Sequence, residues 1–94
     1  MDDRTQKVSE LLHEAGAAHH TVYRITDGAD DDWASFYSDW LIRLSELPAL
    51  LGRAPVRSEL TWKLVQLDKD YTSASPSEKW EEWYAERLVA AFGD

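Results

Sequence analysis

Cysteine is absent from this 94-residue sequence, and glycine and proline are scarce, with four and three residues. Without cysteine the chain has no disulfide bond, no thiolate metal ligand and no cysteine nucleophile. No apolar run approaches the roughly 18 residues that a membrane helix needs, and residues 1–6 lack the pattern of a secretory signal. The expected location is therefore the cytoplasm, with no membrane partner.

Positive charge is also in short supply. Ten Lys and Arg residues stand against 18 Asp and Glu, which gives a formal net charge of -8 at pH 7. Such a chain repels phosphate backbones and anionic lipid surfaces, so nucleic acid is not an expected partner. The basic residues are scattered from Arg4 to Arg87 and form no cluster. If charge guides an encounter, the expected partner is basic.

Aromatic residues are abundant instead, with five Trp, four Tyr and two Phe. Each buried ring removes roughly 150 to 250 Å² from water, which suits a domain too short to bury a large core. The clearest apolar stripe at helical spacing is Trp33, Phe36, Tyr37, Trp40, Leu41 and Leu44. A second predicted face comprises Val56, Leu60, Leu64, Leu67 and Tyr71, broadened by Trp62 and Val65. A third comprises Trp80, Trp83, Tyr84, Arg87, Leu88 and Ala91.

Proline, glycine and serine mark the expected helix ends. Pro48 predicts a break, and Gly52 predicts the end of one further helical turn. The segment 75–78, Ser-Pro-Ser-Glu, has the spacing of a capping box, so Ser75 is expected to cap the last helix. Residues 17–26 are ambiguous, because their β-branched content also favours a strand.

An internal repeat resolves that ambiguity in favour of a helix. Residues that recur 47 positions later are Trp33, Phe36, Tyr37 and Leu41, matched by Trp80, Trp83, Tyr84 and Leu88. Residues that recur 48 positions later are Val8, Leu12 and Tyr23, matched by Val56, Leu60 and Tyr71. The Trp and Tyr matches carry the comparison, since any two amphipathic helices share apolar spacing. The predicted fold is all-α: one domain, 1–94, forming a compact four-helix bundle from two duplicated helical hairpins, about 5–47 and 54–92.

The two Trp/Tyr segments, 32–37 and 79–84, have the sequences Asp-Trp-Ala-Ser-Phe-Tyr and Lys-Trp-Glu-Glu-Trp-Tyr. With the paired histidines ahead of Tyr23, they resemble segments of small uncharacterised bacterial all-helical proteins. The resemblance implies a helical fold and no particular function.

Histidines and carboxylates are tested first as metal ligands. Glu10 and His13 form one E-x-x-H unit, and His19 and His20 follow, but a di-iron bundle needs two such units and the second half has no histidine. The segment 68–72 resembles the start of a calcium loop without its turn glycine. The acidic run 27–32 is interpreted as a turn before a helix. No metal ion and no cofactor is therefore predicted.

The sequence contains no nucleophile elbow, phosphate loop or dinucleotide-binding turn, so an enzyme is not favoured. One hypothesis is a small-molecule binder, or a minor acid–base enzyme, with a cleft between the hairpins. The residues expected to converge there are His20, Tyr23, Trp33 and Tyr37. The alternative interpretation of the aromatic residues is that they only form the core.

The leading hypothesis is a noncatalytic helical module that binds another protein or itself. Trp40 and Trp62 have no aromatic counterpart in the other repeat and are candidates for an exposed interface. Glu78, Glu82 and Glu86 are spaced at i, i+4 and i+8 along the predicted last helix. This stripe is interpreted either as a docking face for a basic protein or as an ordinary solvated face.

Overall fold

The computed structural model describes residues 3–23 and 33–93, apart from the side chains of Val22 and Tyr23. The helices are α1 Asp3–Tyr23, α2 Trp33–Arg43, α3 Leu47–Leu51, α4 Arg57–Ala74 and α5 Trp80–Phe92. No strand occurs in this part of the chain, which confirms the all-α fold class. None of these helices combines the length and the hydropathy that crossing a bilayer requires. The predicted acidic turn at residues 27–32 lies outside the described residues.

Helix α1 continues without a break through residues 17–23, where local propensity is ambiguous. Val8, Leu12 and Ala15 lie on one face of this helix and are fully buried. Packing of such a face stabilises a helix more than intrinsic propensity does. The helix that the repeat predicts in this segment is therefore confirmed as far as Tyr23.

The junction between α2 and α4 forms as Pro48 and Gly52 predict. Pro48 occupies the first turn of α3, where its missing N–H breaks no helical hydrogen bond. The Ser45 hydroxyl donates to the carbonyl oxygen of Leu41 at 2.6 Å and accepts from the N–H of Leu47 at 3.1 Å. Gly52 ends α3 with φ 88°, a left-handed conformation that glycine adopts without strain.

The capping box predicted at Ser75 is wrong. Ser75 instead ends α4, with φ 44° and its N–H donating to the carbonyl oxygen of Tyr71 at 2.9 Å. A residue that caps the start of a helix needs an extended φ and ψ, which this left-handed conformation excludes. Helix α5 begins only at Trp80, after Lys79, which makes no side-chain capping hydrogen bond. The Tyr71 hydroxyl donates to the carbonyl oxygen of Glu78 at 2.7 Å and ties the connecting segment to α4.

The four longer helices enclose a core of aliphatic side chains. Helix α1 contacts α2 and α5, helix α4 contacts the same two helices, and α3 packs on α1 and α2. All five helices contribute fully buried leucines, which are Leu12, Leu41, Leu47, Leu51, Leu60, Leu64, Leu67 and Leu88. The radius of gyration is 12.6 Å. A folded chain of this length is expected to have a value of about 12.4 Å.

Burial departs from the predicted stripes at five positions, two of which are Val65, 37% exposed, and Ala91, also exposed. Leu44 follows the last residue of α2 and is 72% exposed, and Val56 precedes α4 and is 58% exposed. Trp62 lies within α4 but is 64% exposed, so it does not broaden the buried face. The predictions for Leu44 and Val56 fail because α2 ends before Leu44 and α4 begins after Val56. Trp62 projects from the opposite side of α4 to the buried Leu60, Leu64 and Leu67.

Helix α2 buries its small side chains and leaves its rings at the edge of the core. Ala34, Ser38 and Leu41 are its buried residues. Its four aromatic residues are half-buried. The hydroxyl oxygens of Ser38 and Thr61 are 2.8 Å apart, which satisfies the buried Ser38 where α2 meets α4. The aromatic stripe predicted for the core of α2 therefore borders the core instead.

We expect Leu88→Ala to lower the free energy of unfolding by about 2 to 5 kcal/mol, because Leu88 is fully buried in α5. Leu44→Ala is the matched control, since it makes the same chemical change at a site that is 72% exposed. Its effect should stay within about 0.5 kcal/mol. Urea unfolding followed by tryptophan fluorescence measures both values, and equal losses would contradict the described core.

Candidate functional site

A cleft lies where α4 meets α2 and α5. Its volume is about 410 Å³. The described residues that line it, five of them aromatic, are Trp33, Tyr37, Asp68, Tyr71, Thr72, Trp80 and Tyr84. Trp33 and Tyr37 are four residues apart on α2, and Trp80 and Tyr84 have the same spacing on α5, so each pair lies on one helix face. Three helices therefore build the wall.

The rings around the cleft meet edge to face. The Trp33 and Tyr37 ring centroids are 5.7 Å apart with an interplanar angle of 89°, and the Trp80 and Tyr84 centroids are 5.3 Å apart at 76°. Tyr37 joins the two pairs through Trp80, at 6.2 Å and 64°. Tyr71 meets Tyr84 at 6.2 Å and 73°. Each ring is therefore steeply inclined to the next, and these contacts restrict the orientation of the rings.

Polar groups of the cleft wall come from Asp68, Thr72 and the tyrosine hydroxyls. The Tyr84 hydroxyl oxygen lies 3.5 Å from Oδ1 of Asp68. Burial raises the pKa of Tyr84, and the Asp68 carboxylate raises it further because negative charge disfavours a phenolate. The Tyr71 hydroxyl is occupied by the carbonyl oxygen of Glu78. The wall therefore combines neutral phenols with one carboxylate.

Helix α1 supports the cleft from behind at Gly16. A Cβ atom at this position would lie 3.3 Å from the Tyr37 hydroxyl oxygen and 3.7 Å from Cζ2 of Trp80. Glycine in the middle of a helix lowers its stability, so close packing against these two rings is the physical reason for it here. Burial raises the pKa of Tyr37, and the charge of Glu81 adds to that effect.

The structure brings together part of the cleft predicted from the sequence, which comprised His20, Tyr23, Trp33 and Tyr37. Trp33 and Tyr37 line the cleft. His20 is exposed, and it is not among the described residues of the wall. The side chain of Tyr23 lies outside the described residues. His19 instead approaches the rings of Phe36 and Tyr37, with centroid distances of 5.2 and 5.6 Å.

Asp68 and Tyr71 were not in the predicted cleft, yet the repeat contains a signal for both. The residues 48 positions after His20 and Tyr23 are Asp68 and Tyr71. The residues 47 positions after Trp33 and Tyr37 are Trp80 and Tyr84. All four line the cleft. His20 corresponds to Asp68, so the second half has a carboxylate where the first half has an imidazole. Thr72 has no comparable signal in the sequence.

The residues predicted for an interface are separated in the structure. Trp62 is exposed on α4, whereas Trp40 is half-buried against the core. Glu82 and Glu86 lie on α5, and Glu78 precedes that helix. A side-chain hydrogen bond with Glu86 raises the pKa of Glu78, and the negative charges of Glu86 and Glu82 act in the same direction. The three carboxyl groups are therefore close in space, although Glu78 is not helical.

A second groove, of about 450 Å³, lies between α1 and α5. Its lining is polar and comprises Gln6, Ser9, Glu10, His13, Glu14, Lys79, Glu81 and Glu82. Nδ1 of His13 is 3.1 Å from Oε2 of Glu81, a contact that links the two helices. Within residues 3–23 and 33–93, no three or more histidine or carboxylate side chains are arranged to hold a metal ion.

The chemistry of the cleft is interpreted from its own geometry. Comparison of the chain with protein-family models, curated proteins and solved structures finds no match. The aromatic wall, the Asp68 carboxylate and the close approach at Gly16 are therefore the observations on which an account of function rests.

We expect Gly16→Ala and Tyr37→Phe to be energetically coupled. Alanine gains up to about 1 kcal/mol of helix propensity, but its methyl group would press on the Tyr37 hydroxyl. Removing that oxygen relieves the contact, so Gly16→Ala should be more favourable in the Tyr37→Phe protein than in the wild type, by roughly 0.5 kcal/mol or more. Urea unfolding of the four proteins measures the coupling. Ala17→Gly, at an exposed position of α1, is the control and should show none.

We expect the stability of the wild type to fall more steeply above pH 10 than that of Tyr84→Phe. The folded-state pKa of Tyr84 is raised, while the unfolded chain titrates near the ordinary value of about 10. The unfolded state therefore loses its proton first, and stability that is present below pH 10 is lost as the pH rises toward the folded-state pKa. Urea unfolding between pH 9 and 11 gives the two slopes. Parallel slopes would show that Tyr84 titrates normally.

Proposed function

We propose that this protein is a noncatalytic helical binding module that holds a small ligand in the aromatic cleft. The observation that carries the proposal is the arrangement of five aromatic rings and one carboxylate around a cleft of about 410 Å³. Ligand sites are typically concave, about 300 to 1,000 Å³ in volume, and apolar with a few placed polar groups. The cleft falls within this volume range, and aromatic rings line it together with the polar groups of Asp68, Thr72 and the tyrosines.

The distribution of burial supports a ligand-binding role for the rings. The fully buried side chains are almost all aliphatic, whereas Trp33, Tyr37 and Trp80 are half-buried and pack against the edge of the core. A ring that borders solvent keeps apolar surface that a ligand can cover, with a gain of about 25 cal/mol per Å². This burial pattern favours a binding site over the alternative that the rings only form the core.

The chemistry of the wall favours binding over catalysis. The pKa of Tyr37 and that of Tyr84 are both raised, so the two phenols stay neutral near pH 7 and are poor general bases. Among the described residues of the wall, neither a histidine nor a lysine accompanies Asp68. A carboxylate without a paired acid or nucleophile supports recognition of a ligand better than its chemical conversion.

A four-helix bundle formed by hairpin duplication, residues about 5–47 and 54–92, is part of this proposal. The helix contacts support it, because the pairs of contacting helices among the four longer ones stay the same when α1 is exchanged with α4 and α2 with α5. The pairs Trp33–Tyr37 and Trp80–Tyr84 have similar ring geometry. Leu41 and its counterpart Leu88 are both fully buried. In such a fold the cleft collects equivalent residues from the two hairpins.

Protein binding is a second candidate function, and a different surface supports it. Trp62 is 64% exposed and lies three residues before Val65, which is 37% exposed, on one face of α4. Tryptophan is enriched at the energetic centres of interfaces. The grouped carboxyl groups of Glu78, Glu82 and Glu86 and the net charge of -8 suit a basic partner, and a second copy of the chain is the other option. A cytoplasmic location, supported by the lack of cysteine, completes this set of proposals.

Ligand binding can be tested through the indole N–H signals of the five tryptophans in ¹⁵N-labelled protein. The probes are neutral, cationic and anionic organic fragments of similar size. A ligand in the cleft should shift the signals of Trp33 and Trp80 and leave that of Trp62 unchanged, since only the first two line the cleft. Thr72→Phe places a ring in the wall and should weaken binding at least tenfold. Ser73→Phe, at the exposed neighbouring position, should not.

Two results would count against the cleft as a binding site. One is a fragment set that shifts neither Trp33 nor Trp80, and the other is binding that Thr72→Phe leaves unchanged. The same spectra address the second candidate function. Self-association through α4 would shift the Trp62 signal with protein concentration, without any added ligand.

A further inference from the structure

The ring geometry of the cleft suits a positively charged group. The faces of aromatic rings carry partial negative charge, and a cation within about 6 Å of a ring centroid is attracted to the face. Successive rings differ in orientation by 64 to 89°, and five rings are among the described residues that line the cleft. A compact cation in the cleft would therefore lie beside several aromatic rings.

The charges of the cleft wall and of the whole chain also favour a positively charged ligand. Asp68 places a carboxylate in the wall. Among the described residues that line the cleft, none is basic. With a net charge of -8, the whole chain also attracts cations and repels anions. An anionic ligand would therefore be disfavoured in this cleft.

The aromatic cluster already holds one cation at its far end. The guanidinium carbon of Arg87 lies 3.6 Å from the centroid of the Trp83 ring. Trp83 in turn contacts Tyr71 at a centroid distance of 5.4 Å, so this pair continues the same cluster. Arg87 does not line the cleft and does not fill it. The cleft resembles the Trp83 site in its chemistry but has no cation of its own among the described residues.

Resting on the proposed function of the cleft, we propose that its ligand is a small organic cation with a quaternary, methylated ammonium group. The rings of the cleft attract the methylated face of this group, and the Asp68 carboxylate balances its charge. A primary ammonium has three N–H donors that each need an acceptor. Five of the described lining residues are aromatic, so the cleft offers mainly ring surface, and a quaternary ammonium can use this surface because its methyl groups need no acceptor.

The test compares choline with 3,3-dimethylbutan-1-ol, which has the same shape without the charge. Both are titrated into ¹⁵N-labelled protein at low salt while the indole N–H signals are followed. Choline is expected to shift Trp33 and Trp80 and to bind at least tenfold more tightly than the neutral alcohol. Asp68→Asn should weaken choline binding about fivefold or more and leave the alcohol unaffected.

Asp70→Asn is the matched control, because it removes the same charge two residues further along α4. Asp70 is exposed, accepts a hydrogen bond from Gln66 at 3.3 Å and does not line the cleft. Its effect on choline binding should be less than twofold. A loss as large as that of Asp68→Asn would show that net charge, and not the carboxylate in the wall, attracts the cation, and would overturn the inference.

The remaining outcomes separate this inference from the proposed function. Equal affinity for choline and its neutral counterpart would overturn the cation inference while the cleft remained a binding site. Failure of choline to shift Trp33 and Trp80 would also overturn it. The proposed function itself is contradicted if the neutral and anionic fragments also fail to shift these two indole signals, or if Thr72→Phe leaves their binding unchanged.

Discussion

The edge-to-face contact between Tyr37 and Trp80 is the constraint on which the cleft depends. Their ring centroids are 6.2 Å apart, and the contact joins the aromatic pair on α2 to the pair on α5. Helix α1 reaches both rings because Gly16 has no side chain that would meet them. Helices α1, α2 and α5 therefore meet at this contact. Since the leucines of the core carry most of the full burial, these rings are free to remain half-buried, with apolar surface toward the cleft.

Local sequence signals predict this fold where a residue type strongly favours one position relative to a helix. Proline favours the first helical turn and glycine the left-handed position after the last, and Pro48 and Gly52 delimit the short α3 in this way. Ser75 is different, because serine tolerates both the start of one helix and the end of another. The outcome depends on the hydrogen bond from Tyr71 to Glu78, which links residues seven positions apart across the turn. The capping-box motif covers only residues 75–78 and therefore contains no information about the contact with Tyr71.

The residues of the cleft are harder to predict from the sequence than the helices are. Aromatic spacing places Trp33 and Tyr37 on one face, and the structure puts both in the wall. Asp68 has no such pattern around it, and its local sequence suggests an exposed carboxylate or an incomplete calcium loop. Its proximity to Tyr84, sixteen residues later, arises only when α5 packs on α4. His20 and His19 differ by one position, and the rotation of α1 that turns His19 toward the rings is set by the burial of Val8 and Leu12.

In the proposed duplication the two halves match in their rings but differ in charge. The position of Asp68 in the second half is that of His20 in the first; both residues are exposed, but only Asp68 is among the described residues that border the cleft. A symmetric cleft lined by aromatic rings alone would not distinguish the two ends of a ligand. The Asp68 carboxylate on the α4 side makes the electrostatic potential uneven, so in the proposed site a positively charged group of a ligand would be drawn toward α4. Under the proposed function, this difference between the two halves would give the ligand a preferred orientation.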